Sequence, residues 1–308
     1  MKLVALAGGT GAAKLLRGLS RLVDPLDLTI VVNTGDDALM WGLHVSPDVD
    51  TICYALAGLI DPAKGWGLQD DTFHALDQMA HYGEPTWFNL GDRDLATHLH
   101  RTRLLTQGGT LSEATRSVAR SLGVGAAVLP MSDQPVRTRL LGPDGWLAFQ
   151  EYFVRDRTQV EVRAVEYAGA ETAVPAPGVL EAIRAARAVI VCPSNPMTSI
   201  GPILAVSGMV QALVESPATT VAISPIVGGE AVSGPAGRLM AVRGLPVSPV
   251  GVARAYARWL DALVFDEQDK TMLPEILGLG VSPVAAPTIM KTRDDEVSLA
   301  RRVLDVLA

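Results

Sequence analysis

Short apolar runs alternate along this chain with longer stretches in which apolar residues recur every three or four positions. The short runs are typical of strands buried in a parallel sheet, and the longer spacing is typical of helices packed on such a sheet. The short runs predict strands at residues 3–7, 28–32, 188–192, 219–224, 262–265 and 281–285. The longer stretches predict helices at residues 12–22, 179–186, 203–214, 250–260 and 294–307.

The segment between these two parts of the chain has a different pattern. After a polar loop, helical spacing dominates at residues 51–59, 72–81, 95–104 and 111–122, the last opened by a capping box at Thr110. In the β-rich section that follows, we predict strands at residues 136–141, 146–154 and 159–166. The turn Gly142-Pro-Asp-Gly145 joins the first two of these strands as a hairpin.

The order of these elements predicts the fold class and the domain organisation. Strands that alternate with helices imply right-handed crossovers and a mostly parallel sheet. We therefore predict an α/β protein with a three-layer, Rossmann-like, nucleotide-binding core formed by residues 1–35 and 176–308. Residues 36–175 are predicted to be an insertion of helices and a small antiparallel β element.

A glycine-rich loop follows the first predicted strand. Gly8, Gly9 and Gly11 lie between that strand and a helix, an arrangement that brings backbone N–H groups and a helix N-terminus up to a phosphate. The loop lacks the third glycine of a dinucleotide fingerprint, where Lys14 stands, and it lacks the Gly-Lys-Ser/Thr of a Walker A loop. By itself the loop fits either phosphate binding or a tight turn without a ligand.

Three further strand ends carry polar, glycine- or proline-containing loops, at residues 33–37, 193–202 and 225–235. In an α/β sheet, ligands bind at the carboxyl ends of the strands. Any one of these loops is an ordinary turn, but four such loops in succession predict a ligand site.

Acidic residues cluster near this predicted site. Asp48 and Asp50 lie two residues apart at the start of a helix, with Asp36 and Asp37 close by in sequence. Asp50 as a helix N-cap would explain one of these carboxylates. Paired carboxylates also suit a divalent cation or the acceptance of a hydroxyl proton.

Arg93 lies between two aspartates, beside Gly91 and close to Trp87 and Phe88. A solvated ion-pair cluster is one explanation of this arrangement. The other is that the guanidinium holds a phosphate or a flat ring.

Composition narrows the class of protein. Hydrophobic residues make up 48% of the 308 residues, charged residues make up 19%, and the net charge of −7 argues against a nucleic-acid surface. No apolar run approaches the roughly 18 residues of a membrane span, and a strand at residue 3 leaves no room for a signal peptide. Cys53 and Cys192 are expected to be small buried residues, and His98 and His100 structural or surface residues. We expect a cytoplasmic protein.

Taken together, these loops resemble one family, the 2-phospho-L-lactate transferases of deazaflavin (coenzyme F-420) biosynthesis. The resemblance covers essentially the whole chain, and its motifs run in the family's order. The matching segments are Gly8-Gly-Thr-Gly-Ala-Ala-Lys14, Asn33-Thr-Gly-Asp-Asp37, Gly42-Leu-His-Val-Ser-Pro-Asp-Val-Asp-Thr51, Asn89-Leu-Gly-Asp-Arg-Asp-Leu-Ala-Thr97, Pro193-Ser-Asn-Pro196, Ser199-Ile-Gly-Pro-Ile-Leu204 and Ser224-Pro-Ile-Val-Gly-Gly229.

The resemblance implies a transfer reaction. A phospholactate or phosphoenolpyruvate group would move from a guanosine diphospho-ester to the terminal ribityl hydroxyl of 7,8-didemethyl-8-hydroxy-5-deazariboflavin, with release of GMP. The resemblance also implies Mg²⁺ and a homodimer, with no nucleic-acid or membrane partner.

The implied roles fall on particular residues. Asp50 and Arg93 would be catalytic, and Asp48 and Asp50 would hold the metal. The deazaflavin would contact Asp36, Asp37, Asp50 and Arg93. The nucleotide would contact Gly8, Gly9, Thr10, Gly11, Lys14, Ser194, Asn195, Ser199 and Gly201.

One departure and two alternatives accompany this resemblance. Glu230 stands where a basic residue is expected, and Arg238 would have to compensate if that position faces phosphate. The glycine loop alone also fits related sugar-nucleotide-binding regulatory proteins, which lack the segments around Asp48 and Arg93. An NAD-dependent dehydrogenase is disfavoured by Lys14 and Asn33.

Overall fold

The structure is a computed structural model that describes residues 1–307. Seven strands form its central sheet, and every pairing within that sheet is parallel. These strands are β1 (Leu3–Ala7), β2 (Leu28–Val32), β5 (Ala127–Pro130), β9 (Ala188–Val191), β10 (Thr219–Ile223), β13 (Ala262–Phe265) and β14 (Ser282–Ala285). Their order across the sheet is β14, β13, β10, β9, β1, β2, β5.

Three small antiparallel sheets accompany the central one. β3 (Ala38–Met40) pairs with β4 (Leu43–Val45), and β11 (Ile226–Val227) pairs with β12 (Glu230–Ala231). The third sheet consists of β6 (Arg137–Gly142) between β7 (Gly145–Ala148) and β8 (Ala164–Ala168).

Helices connect these strands. The α-helices are α1 (Gly9–Leu19), α2 (Pro47–Leu56), α3 (His74–His81), α4 (Asp92–Thr106), α5 (Leu111–Ser121), α6 (Val179–Ala185), α7 (Gly201–Ala205), α8 (Met209–Glu215), α9 (Ala236–Val242), α10 (Pro249–Tyr256), α11 (Leu273–Leu277) and α12 (Arg293–Val306). The 3₁₀ turns are Pro25–Asp27 and Glu267–Met272, and the π-helical turns are Glu151–Arg155 and Pro196–Ile200.

Apolar cores cover both faces of the sheet. Successive side chains of β1 point to opposite faces, and all five are buried. Leu3 and Ala5 belong to the core that includes α1 and α12, whereas Val4 and Leu6 belong to the core that includes α6 and α8. The predicted three-layer α/β fold with a mostly parallel sheet is confirmed.

The structure departs from the predicted elements at several places, among them the following four. The strand β5 was not predicted, although it lies within residues 36–175 and pairs with β2 at the edge of the central sheet. The predicted helix at residues 203–214 is broken: α7 ends at Ala205, and α8 follows at an angle of 84° after Gly208, which has a φ of +86°. Only glycine adopts that conformation readily.

The other two departures lie in the β-rich section. The predicted strand at residues 146–154 becomes β7 followed by the π-helical turn, where the rings of Phe149 and Phe153 stack with centroids 5.4 Å apart. The predicted strand at residues 159–166 is β8, which starts only at Ala164, because Arg157 and Thr158 turn the chain with positive φ angles of 49° and 59°. The capping box at Thr110 is confirmed.

No single helix in residues 1–307 is long and apolar enough to cross a membrane. Two consecutive helical segments, Pro196–Ala205 and Met209–Glu215, reach the required length and apolar composition only when they are counted together, and the chain bends by 84° between them.

Candidate functional site

A cavity of about 560 Å³ lies at the carboxyl end of the central sheet. The predicted site residues that line it are Gly8, Gly9, Thr10, Gly11, Lys14, Asp36, Asp48, Asp50, Ser194, Asn195 and Ser199. Asp37, Arg93 and Gly201 are not part of this lining. The structure therefore brings together loops from β1, β2 and β9, as expected for a ligand site in an α/β sheet.

The glycine loop leads directly into α1, which begins at Gly9, earlier than the predicted residue 12. A Cβ at Gly8 would lie 2.6 Å from Asp48 Oδ2, and a Cβ at Gly11 would clash with the carbonyl oxygen of Pro193. Gly9 itself has a φ of +72°. The close approaches exclude larger residues, and they place the N-terminal N–H groups of α1 at the cavity, where they can bind an anion.

The loop after β9 lies against the glycine loop. Ser194 Oγ accepts a hydrogen bond from the Gly8 N–H at 3.3 Å, and Asn195 Oδ1 accepts one from the Met197 N–H at 2.9 Å. Gly201 packs instead against the hydroxyl end of Tyr167. Ser194 and Asn195 are therefore at the cavity, and Gly201 supports the turn behind them.

Two buried aspartates meet at one amide group. Asn33 Nδ2 donates to Asp48 Oδ2 at 2.8 Å, to Asp36 Oδ2 at 3.3 Å and to the Thr198 carbonyl oxygen at 3.1 Å. Asp36 comes from the loop after β2, and Asp48 comes from the first turn of α2. We refer to Asn33, Asp36 and Asp48 as the Asn33 cluster.

No positive side chain forms an ion pair with either aspartate of the Asn33 cluster among the described residues. Burial, together with the charge of Asp48, raises the pKa of Asp36 well above its ordinary value. Burial also raises the pKa of Asp48 to about 6, against the hydrogen bond from Asn33. Both shifts have burial as their largest cause, which disfavours the charged form of a carboxyl group.

Asp50 belongs to a second buried group, which we call the Arg101 cluster (Tyr54, Asp50, Asp94, His98 and Arg101). Arg101 is fully buried, and its guanidinium forms a two-pronged ion pair with the carboxylate of Asp50. The Arg101 Nη1 also lies 3.3 Å from His98 Nδ1. Asp50 is therefore not the helix cap that its position suggested, since α2 begins at Pro47 with Ser46 as its N-cap.

Asp94 extends the Arg101 cluster toward solvent. Its Oδ2 lies 3.3 Å from His98 Nε2, and its Oδ1 accepts a hydrogen bond from the Tyr54 hydroxyl at 2.6 Å. His98 Nδ1 lies 3.6 Å from Asp50 Oδ2. The imidazole thus connects two carboxylates, both of which line the cavity.

The aspartates of the segment around Arg93 have separate roles. Asp92 accepts hydrogen bonds from the N–H groups of His74 and Ala75, whereas Asp94 points into the cavity. The side chain of Arg93 is exposed and donates to the Gln69 carbonyl oxygen at 2.9 Å. The guanidinium therefore lies outside the cavity lining.

Asp37 also points away from the cavity. Its Oδ2 accepts a hydrogen bond from the Ser46 hydroxyl at 2.6 Å and lies 3.6 Å from His44 Nε2. Burial raises the pKa of Asp37 to about 7, and burial lowers the pKa of His44 to about 4. These contacts join the β3–β4 hairpin to the start of α2.

Several residues of the cavity were not predicted from the sequence. Asp94, His98 and Arg101 lie at positions i, i+4 and i+7 of α4, so they share one helix face, and this polar stripe was the signal that could have revealed them. His98 was expected to be structural or at the surface; it is buried, which excludes the surface position, and it lines the cavity. Besides Tyr54, four aromatic residues line the cavity: Trp66, Phe88, Phe149 and Phe153.

Two groups of acidic side chains have the chemistry of a cation site. Ligand atoms of Asp50, Asp94 and His98 lie within 4.8 Å of one another. The Asn33 cluster offers two buried carboxylates, and Asp36 Oδ1 has no hydrogen-bond partner. Carboxylate oxygens are the ligands that Mg²⁺ prefers in proteins.

Comparison with known proteins places the chain in a family. Residues 3–286 match the family model described as 2-phospho-L-lactate transferase CofD. The 2-phospho-L-lactate transferase of Methanococcoides burtonii is 42% identical over 99% of both chains. The phosphoenolpyruvate transferase of Streptomyces griseus is also 42% identical, over 99% of this chain and 98% of that protein.

Solved structures agree with the fold. A UPF0052-family protein from Bacillus halodurans superposes with a TM-score of 0.66, covering 98% of this chain and 99% of that chain at 20% identity. At that identity the likeness concerns the fold alone.

The fold is that of an α/β protein with an acidic cavity at the carboxyl edge of its parallel sheet. The chain belongs to the 2-phospho-L-lactate transferase (CofD) family and is a transferase.

Proposed function

We propose that this protein transfers a phospholactate or phosphoenolpyruvate group from a guanosine diphospho-ester to 7,8-didemethyl-8-hydroxy-5-deazariboflavin, in coenzyme F-420 biosynthesis. The terminal ribityl oxygen attacks the phosphorus that carries the three-carbon acid. The bond from that phosphorus to the GMP phosphate breaks, GMP leaves, and the hydroxyl proton passes to a base. The carrying observation is a single cavity in which a glycine loop meets four carboxylates, in a chain of this family.

The nucleotide half of the donor fits the backbone side of the cavity. The N-terminus of α1 and the loop with Ser194 and Asn195 offer N–H groups and small polar side chains. An anion at a helix N-terminus is stabilised by these N–H groups and by the helix dipole. The diphosphate therefore lies at the glycine loop, next to Asp48.

The acceptor fits the side-chain half of the cavity. Flat rings stack on aromatic side chains, and Trp66, Phe88, Phe149 and Phe153 supply that surface. Asp50 is the proposed proton acceptor, because it lines the cavity and Arg101 fixes its orientation. We also propose that Arg93 contacts the deazaflavin. Because Arg93 is not part of the cavity lining, this contact requires a part of the deazaflavin to extend out of the cavity.

A divalent cation, Mg²⁺, is the proposed cofactor. When bound, it neutralises charge on the diphosphate and stabilises the leaving GMP. Asp48 is its natural ligand, since its carboxylate lies beside the glycine loop. The sequence pairs Asp48 with Asp50, and the structure offers Asp36 as a second partner.

The proposal includes a cytoplasmic homodimer without nucleic-acid or membrane partners. The family resemblance supports the dimer, and the net charge of −7 supports small-molecule substrates over nucleic acid.

Mass spectrometry of reaction products tests the function. Purified protein is incubated with Mg²⁺, the deazaflavin and either lactyl- or enolpyruvyl-diphosphoguanosine. Both donors are tested because a relative named 2-phospho-L-lactate transferase and one named phosphoenolpyruvate transferase are equally similar to this chain. We expect GMP and a phosphodiester of the deazaflavin with at least one donor, and much less product from Asp50→Asn. Tight binding of UDP-sugars in calorimetry, with no deazaflavin binding and no product, would instead indicate a sugar-nucleotide-binding regulator.

A further inference from the structure

We propose that the divalent cation of this cavity is held by Asp36 and Asp48, and that Asp50 is not one of its ligands. The inference deepens the proposed function, because it assigns the site of the cation that the transfer requires. It rests on four observations: the meeting of the two carboxylates, the unpartnered oxygen of Asp36, the nearness of the glycine loop, and the occupied state of Asp50.

The first observation is how the two carboxylates meet. The Oδ2 atoms of Asp36 and Asp48 lie 3.3 and 2.8 Å from the same nitrogen, Asn33 Nδ2. An amide nitrogen donates hydrogen bonds but carries no charge. Two buried carboxyl groups therefore lie together without a positive partner, an arrangement that requires either a proton or a cation to offset their charge.

The second observation is the unpartnered oxygen. Asp36 is 6% exposed and its Oδ1 has no hydrogen-bond partner, yet the residue lines the cavity. The Thr138 hydroxyl acts on this carboxyl but is itself without a hydrogen-bond partner. Buried polar atoms normally find a partner, so the Asp36 oxygen is one that a ligand would satisfy.

The third observation is the distance to the proposed diphosphate. A Cβ at Gly8 would lie 2.6 Å from Asp48 Oδ2, and a Cβ at Gly9 would lie 3.9 Å from Asp48 Oδ1. A phosphate on the glycine loop would therefore be next to a carboxylate. Neither lysine of the lining forms an ion pair with Asp48, since Lys14 donates to the Met290 carbonyl oxygen and Lys64 pairs with Asp61. A bridging cation removes the repulsion.

The fourth observation concerns Asp50. Both of its oxygens accept from the buried guanidinium of Arg101. A cation bound to this carboxylate would lie beside a fixed positive charge, whereas a cation at the Asn33 cluster would not. The same argument disfavours the group of Asp50, Asp94 and His98 as the cation site.

Binding of Mn²⁺, followed by electron paramagnetic resonance of the free ion with and without GDP, tests the assignment. We expect Asp36→Asn and Asp48→Asn each to weaken Mn²⁺ binding at least about 10-fold, and Asp50→Asn and Asp94→Asn to change it less than about 2-fold. Thermal melting gives a second readout. Mn²⁺ should raise the melting temperature of the unsubstituted protein but not that of Asp36→Asn, and metal-free Asp36→Asn should melt no lower, since repulsion is relieved.

Several results would overturn the assignment. Mn²⁺ binding by Asp36→Asn at the unsubstituted level, or loss of binding in Asp50→Asn or Asp94→Asn with Asp36→Asn unaffected, would do so. Asp48→Asn covers the case in which Asp36→Asn does not fold. Because these readouts need no turnover, Mn²⁺ bound through Asp36 in a protein that makes no deazaflavin product would refute the proposed function and leave the cation site standing.

Discussion

The Asn33 cluster and the Arg101 cluster each place two aspartates in the same cavity, but only the Arg101 cluster has a positively charged side chain next to its carboxylates. In the Arg101 cluster, a fully buried guanidinium and an imidazole lie against Asp50 and Asp94. In the Asn33 cluster, one neutral amide holds Asp36 and Asp48, and an oxygen of Asp36 is left without a partner.

This difference separates two uses of a buried carboxylate. A carboxylate whose charge is compensated within the protein is fixed in one orientation without any ligand. A buried carboxylate whose charge is not compensated lowers the stability of the fold until a cation or a proton binds. Binding of a cation removes this unfavourable free energy, so the cation also stabilises the fold. We infer that the Arg101 cluster is preorganised and that the Asn33 cluster is completed by its ligand.

The largest effect is expected from removal of the guanidinium. Arg101→Met leaves Asp50 buried without a charge partner, so the free energy of unfolding should fall by about 3–5 kcal/mol. Urea unfolding measures this loss. Arg103→Met is the matched control, because Arg103 is exposed on the same helix and should cost less than about 0.5 kcal/mol. Equal effects of the two substitutions would contradict the role given to Arg101.

The second expected effect is on turnover. Asp50→Asn removes the proposed proton acceptor, and loss of a general base typically lowers the rate by about 10²–10⁴-fold. The substitution also leaves the guanidinium of Arg101 without its anionic partner, so some loss of stability should accompany it. Steady-state kinetics with both substrates saturating measures kcat. Asp144→Asn, in the exposed turn between β6 and β7, is the control. If kcat of Asp50→Asn were close to that of Asp144→Asn, Asp50 would not be the proton acceptor and would serve only to hold Arg101 in place.

The third expected effect is a pH dependence that distinguishes the clusters. The pKa of Asp48 is raised to about 6, so its contribution to stability is fully present below its unfolded value near pH 4 and is lost as the pH rises through 6. Burial acts to raise the pKa of Asp94, but His98 lowers it overall, so that contribution is instead lost as the pH falls. With a chelator present, Asp48 should reduce the unfolding free energy by roughly 2–3 kcal/mol between pH 4 and pH 7.

Urea unfolding at pH 4 and pH 7 measures this dependence. Asp36→Asn removes a second buried carboxyl whose pKa is also raised, so the decrease of its unfolding free energy with pH should be smaller than that of the unsubstituted protein. Saturating Mg²⁺ should also reduce the decrease. Identical pH profiles for the two proteins would show that the charges of the Asn33 cluster are not coupled.

The two clusters also differ in how far the sequence predicts them. Asp36, Asp48 and Asp50 were found because they follow a strand or open a helix, and such positions are fixed by local pattern. The sheet and the cavity at its carboxyl edge were predictable for the same reason. Neighbours in sequence nevertheless belong to different clusters: Asp48 contacts Asn33, whereas Asp50 contacts Arg101.

The partners of these aspartates come from segments that are distant in sequence, and the local spacing of apolar and polar residues does not predict such contacts. Arg101 is 51 residues from Asp50 in sequence, and an arginine in a polar helix resembles any surface residue until the tertiary fold buries it. The strand β5 was missed for a related reason, because four residues ending in proline at the sheet edge give too short a signal. Long-range packing, and not local propensity, decides these features.

The smallest expected effect tests the outer end of the Arg101 cluster. The Tyr54 hydroxyl lies 2.6 Å from Asp94 Oδ1 and 2.7 Å from Thr97 Oγ1. Tyr54→Phe keeps the buried ring and removes only this hydrogen bonding, so the free energy of unfolding should fall by about 1.5 kcal/mol. Tyr82→Phe is the control, since Tyr82 is 71% exposed and should give no measurable change. If Tyr54→Phe left stability unchanged while kcat fell, the hydroxyl would act on the substrate through Asp94 and would not serve to hold the cluster together.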